Sequence, residues 1–317
     1  MPLQVVLFLV GLTGLYFGAE WLVKGASRFA RSFNIRPIVI GLTIIAFGSS
    51  TPELVTSITA GINHLNDVAM GNIIGSNIAN IGLVLGLSAI IQPIKIDMGL
   101  LLREMPVVIG ISLILYFMGW DGTLSRREGI VLFVGVILYT FCVYRAALKE
   151  SRAVEQEYLE YEEFIGVTRD ALIKDILLII LGFGALIGGA YLLIHAAIYI
   201  ARVMGISELV IGLTVIAVGT SLPELATSLV ATIRKESDIS IGNVIGSNIF
   251  NILAILGIAA IIQPLSVNTL SLRVDMPVML LFCIFLMPMI TWKFALSRVQ
   301  GFFLLAGYSM YVLWLFK

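Results

Sequence analysis

The sequence predicts an all-α polytopic membrane protein with ten transmembrane helices, arranged as two inverted-topology five-helix repeats. Of its 317 residues, 59% are hydrophobic and only 13% are charged, whereas a soluble domain carries about a quarter charged residues. Apolar stretches recur along the whole chain, each of about 17–25 residues and therefore long enough to cross the bilayer core of about 30 Å. The third observation is that the two halves of the chain repeat each other at a fixed offset of 171 residues.

The repeat is strongest in two pairs of segments. Residues 40–57 match residues 211–228 at 13 of 18 positions, and residues 71–94 match residues 242–265 at 16 of 24. Both alignments use the same offset without a gap. The chain therefore consists of two copies of one unit.

Each copy contains five apolar stretches. Because five is odd, the second copy must enter the membrane upside down relative to the first. We expect a first repeat over 1–145, a cytoplasmic linker over 146–175 and a second, inverted repeat over 176–317. The predicted helices are 3–23, 38–62, 68–91, 104–119 and 129–145 in the first repeat, and 176–200, 209–233, 239–262, 274–292 and 299–316 in the second.

The basic residues of the loops give the orientation. With the N-terminus outside, 15 of the 20 Lys and Arg residues fall on the cytoplasmic side and 5 fall outside. This asymmetry follows the positive-inside rule, so we expect both termini outside a cell membrane and the linker in the cytoplasm. Inverted repeats of this kind are typical of secondary transporters, which alternate access around a site at mid-membrane.

Several other classes of function are disfavoured. The chain has no GxxxxGK[ST] loop, which argues against ATP-driven pumping. A Ser/Lys pair, an Asp dyad and an HExxH motif are absent from the sequence, so an intramembrane enzyme is not expected, nor is any cofactor. Cys142 and Cys283 lie in apolar stretches and match no metal or redox spacing.

The motif GSSTPE (48–53) places polar residues where lipid is expected. Proline has no N–H, so Pro52 cannot bond the carbonyl of Gly48, and its ring pushes against that carbonyl. The motif GTSLPE (219–224) repeats this break. Carbonyl oxygens freed over residues 48–50 and 219–221 would be costly in lipid unless they face a cavity or an ion. Glu53 and Glu224 follow each break directly.

Hydroxyls and amides accompany both glutamates. At helical spacing, they share one face of each broken helix and of the helix that follows it. Glycines in the following helices would let them pack closely against the broken ones. The polar sets are Ser50, Glu53 and Ser57 with Asn72, Ser76 and Asn80, and Ser221, Glu224 and Ser228 with Asn243, Ser247 and Asn251.

Two inverted copies that meet at a pseudo-two-fold axis would bring Glu53 and Glu224 together. Adjacent carboxylates repel each other unless a cation lies between them, and one divalent cation would neutralise the pair. Calcium fits best, because it accepts an irregular shell of carboxylate, carbonyl and water oxygens, whereas magnesium demands stricter octahedral geometry. The motifs contain no His or Cys, which weighs against zinc, copper or iron.

The paired motifs GSSTPEL…GNIIGSNIANIG and GTSLPEL…GNVIGSNIFNIL resemble the two alpha-repeats of the sodium/calcium exchangers of the cation/calcium antiporter superfamily, of the prokaryotic type. The resemblance covers nearly the whole chain. It implies exchange of sodium against calcium by alternating access, with helices 1 and 6 sliding against the others. We expect a single chain to be functional.

The resemblance also implies a set of ligands. Calcium would bind Glu53, Glu224 and the backbone oxygens of Ser49 and Thr220, with Asn80 and Asn251 completing the centre. Two sodium sites would flank it. One would use the Ala46 carbonyl, Ser49, Ser50, Glu53 and Ser76, and the other the Ala217 carbonyl, Thr220, Ser221, Glu224 and Ser247.

The chain departs from the family pattern at two places. Ser49 stands where threonine is common, and the central positions Asn80 and Asn251 are both asparagine, where some similar exchangers carry one aspartate. The centre therefore holds two formal negative charges. Three alternatives stay open from the sequence: a proton/calcium exchanger, a potassium-dependent sodium/calcium exchanger and, more distantly, a calcium channel.

Other charged residues are interpreted as structural. Glu104 and Asp275 each stand two residues before a proline, which is typical of a helix start. Glu20 is expected to pair with Lys24, four residues later on the same helix. The acidic run EQEYLEYEEF (155–164) is expected to be a solvated linker.

Overall fold

The computed structural model describes residues 2–33, 35–96, 98–158, 169–205, 217–291 and 294–315, and most of these residues are helical. Several helices contain a π-helical turn and are named here as one helix each. In chain order they are α1 (Pro2–Ser32), α2 (Pro37–Ser49), α3 (Thr51–Ile62), α4 (Asn66–Ile91), α5 (Met98–Met118), α6 (Arg126–Tyr158), α7 (Arg169–Val203), α8 (Ala217–Thr220), α9 (Leu222–Ile233), α10 (Ser237–Ile262), α11 (Ser271–Thr291) and α12 (Arg298–Leu315).

The sequence repeat is also a repeat of structural elements. Helices α3 and α9 begin and end 171 residues apart, and so do α4 and α10. Even the π-helical turns coincide, at Asn80–Leu85 in α4 and Asn251–Leu256 in α10. Such turns are rare and often lie at functional sites.

Four two-residue strands join one half of the chain to the other. Strand β1 (Ile94–Lys95) pairs antiparallel with β4 (Ala295–Leu296), and β2 (Thr123–Leu124) pairs antiparallel with β3 (Leu265–Ser266). Exchange of the two halves converts one pairing into the other. The contacts between the halves are therefore reciprocal, as at an approximate two-fold axis.

Helices α4 and α10 form the centre of the molecule. Within their most apolar windows 78% and 83% of the residues are buried, compared with 28–33% in α1, α5, α6, α7 and α11. Those outer helices expose many large apolar side chains, such as Phe117 and Phe285. An apolar surface this extensive is typical of contact with lipid.

By length and apolar composition, seven helices of the described ranges can cross a membrane, and an eighth is counted if the bent pair α2–α3 is one span. These findings support an all-α polytopic membrane protein. Helix α9 is apolar but shorter, and the predicted span that contains it (209–233) begins within residues 206–216, outside the described residues. The number ten therefore stays a prediction.

Helices α1 and α7 pack along each other through glycines. A Cβ atom on Gly18 would lie 2.6 Å from the backbone nitrogen of Leu186, and one on Gly182 would lie 2.7 Å from that of Leu22. Gly11 and Gly189 approach equally closely further along the same two helices. Contacts this close let the two backbones touch, so α1 and α7 form a tightly packed pair.

The observed helix boundaries differ most from the predicted ones where a helix ends in charged residues. Helix α1 continues to Ser32, α6 continues to Tyr158, and α7 already begins at Arg169. The predicted linker over 146–175 is thus helical at both of its ends. Apolar stretches mark only the part of a helix that needs lipid or protein around it, whereas Ala, Arg, Lys and Glu continue a helix well in water. Residues 159–168, which include much of the acidic run, lie outside the described residues.

The interpretation of Glu104 and Asp275 as helix-start residues is wrong. Helix α5 begins at Met98, and Glu104 is fully buried, where it accepts hydrogen bonds from Tyr139 Oη (2.9 Å) and Arg103 Nε (2.6 Å). In the other half, Asp275 accepts a bond from Tyr311 Oη at 3.0 Å. Each of the two carboxylates therefore fastens one helix to the next.

Glu20 also differs from its expected pairing. Its carboxylate contacts the guanidinium of Arg234, at the turn between α9 and α10. At the same turn, Glu236 accepts hydrogen bonds from Ser27 Oγ (2.6 Å) and Arg31 Nη2 (2.7 Å). Ionic contacts thus fasten one end of α1 to the turn between α9 and α10.

Candidate cation site

Both broken helices turn at a serine. Helix α2 ends at Ser49 and α3 begins at Thr51, with an angle of 45° between them. Ser50 has φ −80° and ψ 10°, and Ser221 has φ −86° and ψ 8°, so neither residue has helical ψ. Each proline lies at the second position of the following helix, where its missing N–H costs nothing.

The breaks free fewer carbonyls than the sequence suggested. The Ser50 carbonyl accepts a hydrogen bond from the N–H of Leu54 at 3.1 Å, and the Ser221 carbonyl accepts one from Leu225 at 3.0 Å. These two carbonyls already have N–H partners, because each starts the hydrogen-bond ladder of the following helix. The carbonyls that Pro52 and Pro223 leave without their usual donor are those of Gly48 and Gly219.

The two glutamates are fully buried and meet at the contact between the halves. Glu53 Oε1 accepts a hydrogen bond from Ser221 Oγ at 3.2 Å, and Glu224 Oε1 accepts one from Ser50 Oγ at 2.9 Å. Ser76 Oγ lies 3.5 Å from Glu53 Oε1. Each carboxylate is thus held by a hydroxyl of the opposite half.

Helical spacing alone did not predict this crossed arrangement. Ser50 was expected beside Glu53, because residues three apart share a helical face. The structure places Ser50 Oγ against Glu224 instead. The reason is the break at Ser50, because the spacing rule holds only within a continuous helix.

Asn72 and Asn243 bond the backbone of the two glutamates. Asn72 Nδ2 donates to the Glu53 backbone carbonyl (3.3 Å) and to Ser57 Oγ (2.9 Å). Asn243 makes the equivalent bonds to Glu224 (3.3 Å) and Ser228 (3.0 Å). These asparagines tie each helix that follows a break to the next helix of the same half.

The side-chain oxygens of these asparagines accept hydrogen bonds from the opposite half. Ser49 Oγ donates to Asn243 Oδ1 at 3.0 Å, and Thr220 Oγ1 donates to Asn72 Oδ1 at 3.3 Å. Ser49 and Thr220 therefore lie at the contact between the halves, as expected of central residues. Their side-chain hydroxyls hold the halves together.

Asn80 and Asn251 are the first residues of the two π-helical turns, and both are buried. Asn80 Nδ2 donates to Asn248 Oδ1 at 3.0 Å, and Asn251 Nδ2 donates to Asn77 Oδ1 at 2.9 Å. Sequence reasoning singled out Asn80 and Asn251 but missed Asn77 and Asn248. The signal was present, because both stand in the repeated GSN motif.

Five buried side-chain oxygens around the two motifs have no hydrogen-bond partner. They are Glu53 Oε2, Glu224 Oε2, Asn80 Oδ1, Asn251 Oδ1 and Ser247 Oγ. A buried polar atom without a partner is costly, so such atoms in a native protein call for a ligand, an ion or water. Two carboxylate oxygens with amide and hydroxyl oxygens are the donors that a hard cation prefers.

Two of the predicted sodium ligands are the carbonyls of Ala46 and Ala217. The Ala46 carbonyl accepts a hydrogen bond from the Ser50 N–H at 3.1 Å, and Ser49 Oγ, which donates to Asn243, lies 3.4 Å from it. Ala217 is the first residue of α8, directly after residues outside the described ranges. In the described part of the chain, no three or more His, Cys, Asp or Glu residues lie together in a group that could hold a metal ion. The candidate site has only two carboxylates, those of Glu53 and Glu224.

The chain is similar over nearly its whole length to known membrane proteins. The family model described as "Sodium/calcium exchanger protein" matches residues 3–145 and 174–317. The sodium/calcium exchanger MaX1 of Methanosarcina acetivorans is 32% identical, over 100% of this chain and 99% of its own length. The inner membrane protein YrbG of Escherichia coli is 37% identical, over 92% and 90% of the two chains.

The fold is also similar to that of a solved structure. The sodium-calcium exchanger NCX_Mj, soaked with 10 mM Na+ and zero Ca2+, is 37% identical to this chain. The match covers 98% of both chains with a TM-score of 0.86. The similarity therefore extends over nearly the whole fold.

Proposed function

Because the chain belongs to the sodium/calcium exchanger family, we propose that its two halves form one mid-membrane site at which calcium and sodium bind in alternation. The protein is a membrane antiporter that exchanges sodium for calcium, and a transporter of this family is not an enzyme. One observation carries the proposal. Each buried glutamate accepts a hydrogen bond from a serine of the opposite half and keeps one carboxylate oxygen without a partner.

The proposed ligands are those that the family resemblance implies. Calcium binds Glu53, Glu224 and the backbone oxygens of Ser49 and Thr220, and Asn80 and Asn251 complete the centre. One sodium site takes Ala46, Ser49, Ser50, Glu53 and Ser76, and the other takes Ala217, Thr220, Ser221, Glu224 and Ser247. The crossed bonds of Ser50 and Ser221 support a single connected site, because each serine touches the glutamate assigned to the other sodium site.

The proposed architecture is ten transmembrane helices in two inverted repeats, over 1–145 and 176–317, with a cytoplasmic linker between them. Reciprocal strand pairs and reciprocal hydrogen bonds support a two-fold relation between the halves. Five spans per half would turn the second half over, with both termini outside the cell membrane. Since one chain supplies both glutamates, we propose that a monomer suffices.

Transport is proposed to proceed by alternating access, in which the α1–α7 pair slides against the remaining helices. The close glycine contacts would let α1 and α7 move as one body. Both broken helices meet α7: a Cβ on Gly48 would clash with the Phe183 ring, and one on Gly219 would clash with Ile194. A shift of α7 would therefore change the packing at both helix breaks.

Sodium should compete directly with calcium, because both ions use the oxygens of Glu53 and Glu224. In titrations of the purified protein, we expect sodium to raise the half-saturating calcium concentration without changing the amount of calcium bound at saturation. Potassium at equal concentration is the control and should have little effect. A fall in the amount of calcium bound, with unchanged half-saturation, would contradict a shared site.

The orientation can be tested with single cysteines in a Cys142→Ala/Cys283→Ala background. Gln156→Cys, in the proposed cytoplasmic linker, should react with a membrane-impermeant maleimide only after the cells are opened. Arg127→Cys, an exposed position in the first turn of α6, is the matched control and should react in intact cells. The opposite pattern would invert the assignment.

A further inference from the structure

The side chains of Asn80 and Asn251 can serve the site in only one of two orientations. An asparagine amide presents an acceptor oxygen on one side and a donor NH2 group on the other, and its neighbours decide which side faces where. An oxygen attracts a cation, whereas an NH2 group repels it. The orientation of these two amides is therefore a condition for binding.

The neighbours that decide it are Asn77 and Asn248. Asn248 Oδ1 accepts a hydrogen bond from Asn80 Nδ2 at 3.0 Å, and Asn77 Oδ1 accepts one from Asn251 Nδ2 at 2.9 Å. A flipped Asn80 would bring two oxygens face to face. In the observed orientation the oxygens of Asn80 and Asn251 are the ones left without partners.

Asn77 and Asn248 are themselves fixed by the opposite half. Asn77 Nδ2 lies 3.4 Å from the Asn248 backbone carbonyl, and Asn248 Nδ2 lies 3.3 Å from that of Asn77. Their NH2 groups are thus directed to main-chain acceptors, which leaves their side-chain oxygens as the acceptors for Asn80 and Asn251. All four side chains are buried, with relative exposures of 0–1%.

We propose that Asn77 and Asn248 are positioning residues, which hold the amides of Asn80 and Asn251 with their oxygens toward the cation. The inference rests on the proposed function of the site and deepens it. The positioning acts across the halves, because Asn248 of the second half orients Asn80 of the first, and Asn77 orients Asn251. This arrangement suits asparagine at both central positions, since an ionised aspartate there would have no NH2 group to donate.

A double-mutant cycle separates positioning from general stabilisation. We expect Asn248→Leu to raise the half-saturating calcium concentration about tenfold, because the Asn80 amide is then free to flip. Asn80→Ala should weaken calcium binding by a similar factor. In the Asn80→Ala background, Asn248→Leu should add less than a twofold change, because no amide is left to orient.

A conservative variant extends the test. Asn248→Asp keeps an acceptor oxygen for Asn80 Nδ2 but loses the donor to the Asn77 carbonyl, so it should weaken calcium binding less than Asn248→Leu does. Ser112→Ala is a control for the loss of a buried hydrogen bond outside the two motifs, because Ser112 Oγ donates to the Val108 carbonyl of its own helix. It should leave calcium affinity unchanged. If Asn248→Leu does not fold, the equivalent pair Asn77→Leu and Asn251→Ala gives the same cycle.

The outcomes are distinguishable. A wild type that binds calcium, with an Asn248→Leu variant of unchanged affinity, would overturn the inference and leave the proposed function intact. The inference would also be overturned if the double variant weakened calcium binding by the product of the two single-variant factors. That result would show that Asn248 and Asn80 act independently. A wild type that binds no calcium would overturn the proposed function and the inference together.

Discussion

Glu53→Gln and Glu224→Gln are each expected to abolish calcium transport. Either change keeps the shape of the side chain but removes one of the two negative charges that balance a divalent cation. Removing one partner from a buried pair of opposite charges costs about 3–5 kcal/mol, which corresponds to a loss of at least about 100-fold in calcium affinity. The measurement is uptake of radioactive calcium by proteoliposomes, with the two variants compared at equal protein content.

Glu104→Gln is the matched control for both variants. Glu104 is also a fully buried glutamate, but its carboxylate bonds Tyr139 and Arg103, away from the two motifs. A glutamine there can still accept the hydrogen bond of Tyr139, so transport should persist. Near-normal calcium transport by Glu53→Gln or Glu224→Gln would remove that residue from the site.

Membrane potential is expected to shift the calcium distribution strongly. Two carboxylates neutralise one calcium ion, whereas three sodium ions on the same two carboxylates carry a net charge of +1. An exchange of three sodium ions for one calcium ion moves one charge per cycle, worth about 2.3 kcal/mol per 100 mV. The equilibrium calcium ratio across the membrane should therefore change by about 50-fold per 100 mV.

This expectation can be measured in proteoliposomes whose potential is clamped with potassium and valinomycin. Sodium and calcium concentrations are held fixed while the potassium ratio is varied, and the steady-state calcium ratio is read. Vesicles without valinomycin are the control, since their potential does not follow the potassium ratio. A calcium ratio independent of potential would indicate electroneutral exchange at two sodium ions per calcium.

The long helices were largely predictable because an apolar stretch of membrane length marks each of them, and the repeat marks most of them twice. Their charged ends were not predictable from hydropathy, as the extension of α6 to Tyr158 shows. The π-helical turns were also missed, because nothing in the local pattern of Asn80–Leu85 separates a π turn from an α turn. Such a turn depends on what the helix packs against.

The site also has features that the sequence predicted and features that it did not. Glu53 and Glu224 were predictable as a pair, because the same motif occurs once in each half of the chain. The partners of their carboxylates were not, because Ser50 crosses to Glu224 only through the break in its own helix. Asn77 and Asn248 were missed because their role depends on contacts between halves that lie 171 residues apart along the chain.

The most direct test of sodium/calcium exchange uses the purified protein in sealed proteoliposomes. Vesicles loaded with sodium are diluted into sodium-free medium that contains radioactive calcium, and vesicles with equal sodium on both sides serve as the control. The outward sodium gradient should drive calcium uptake above its equilibrium level, and collapse of that gradient should release the calcium. Calcium uptake that is indifferent to the sodium gradient, or that follows only a proton or potassium gradient, would contradict the account.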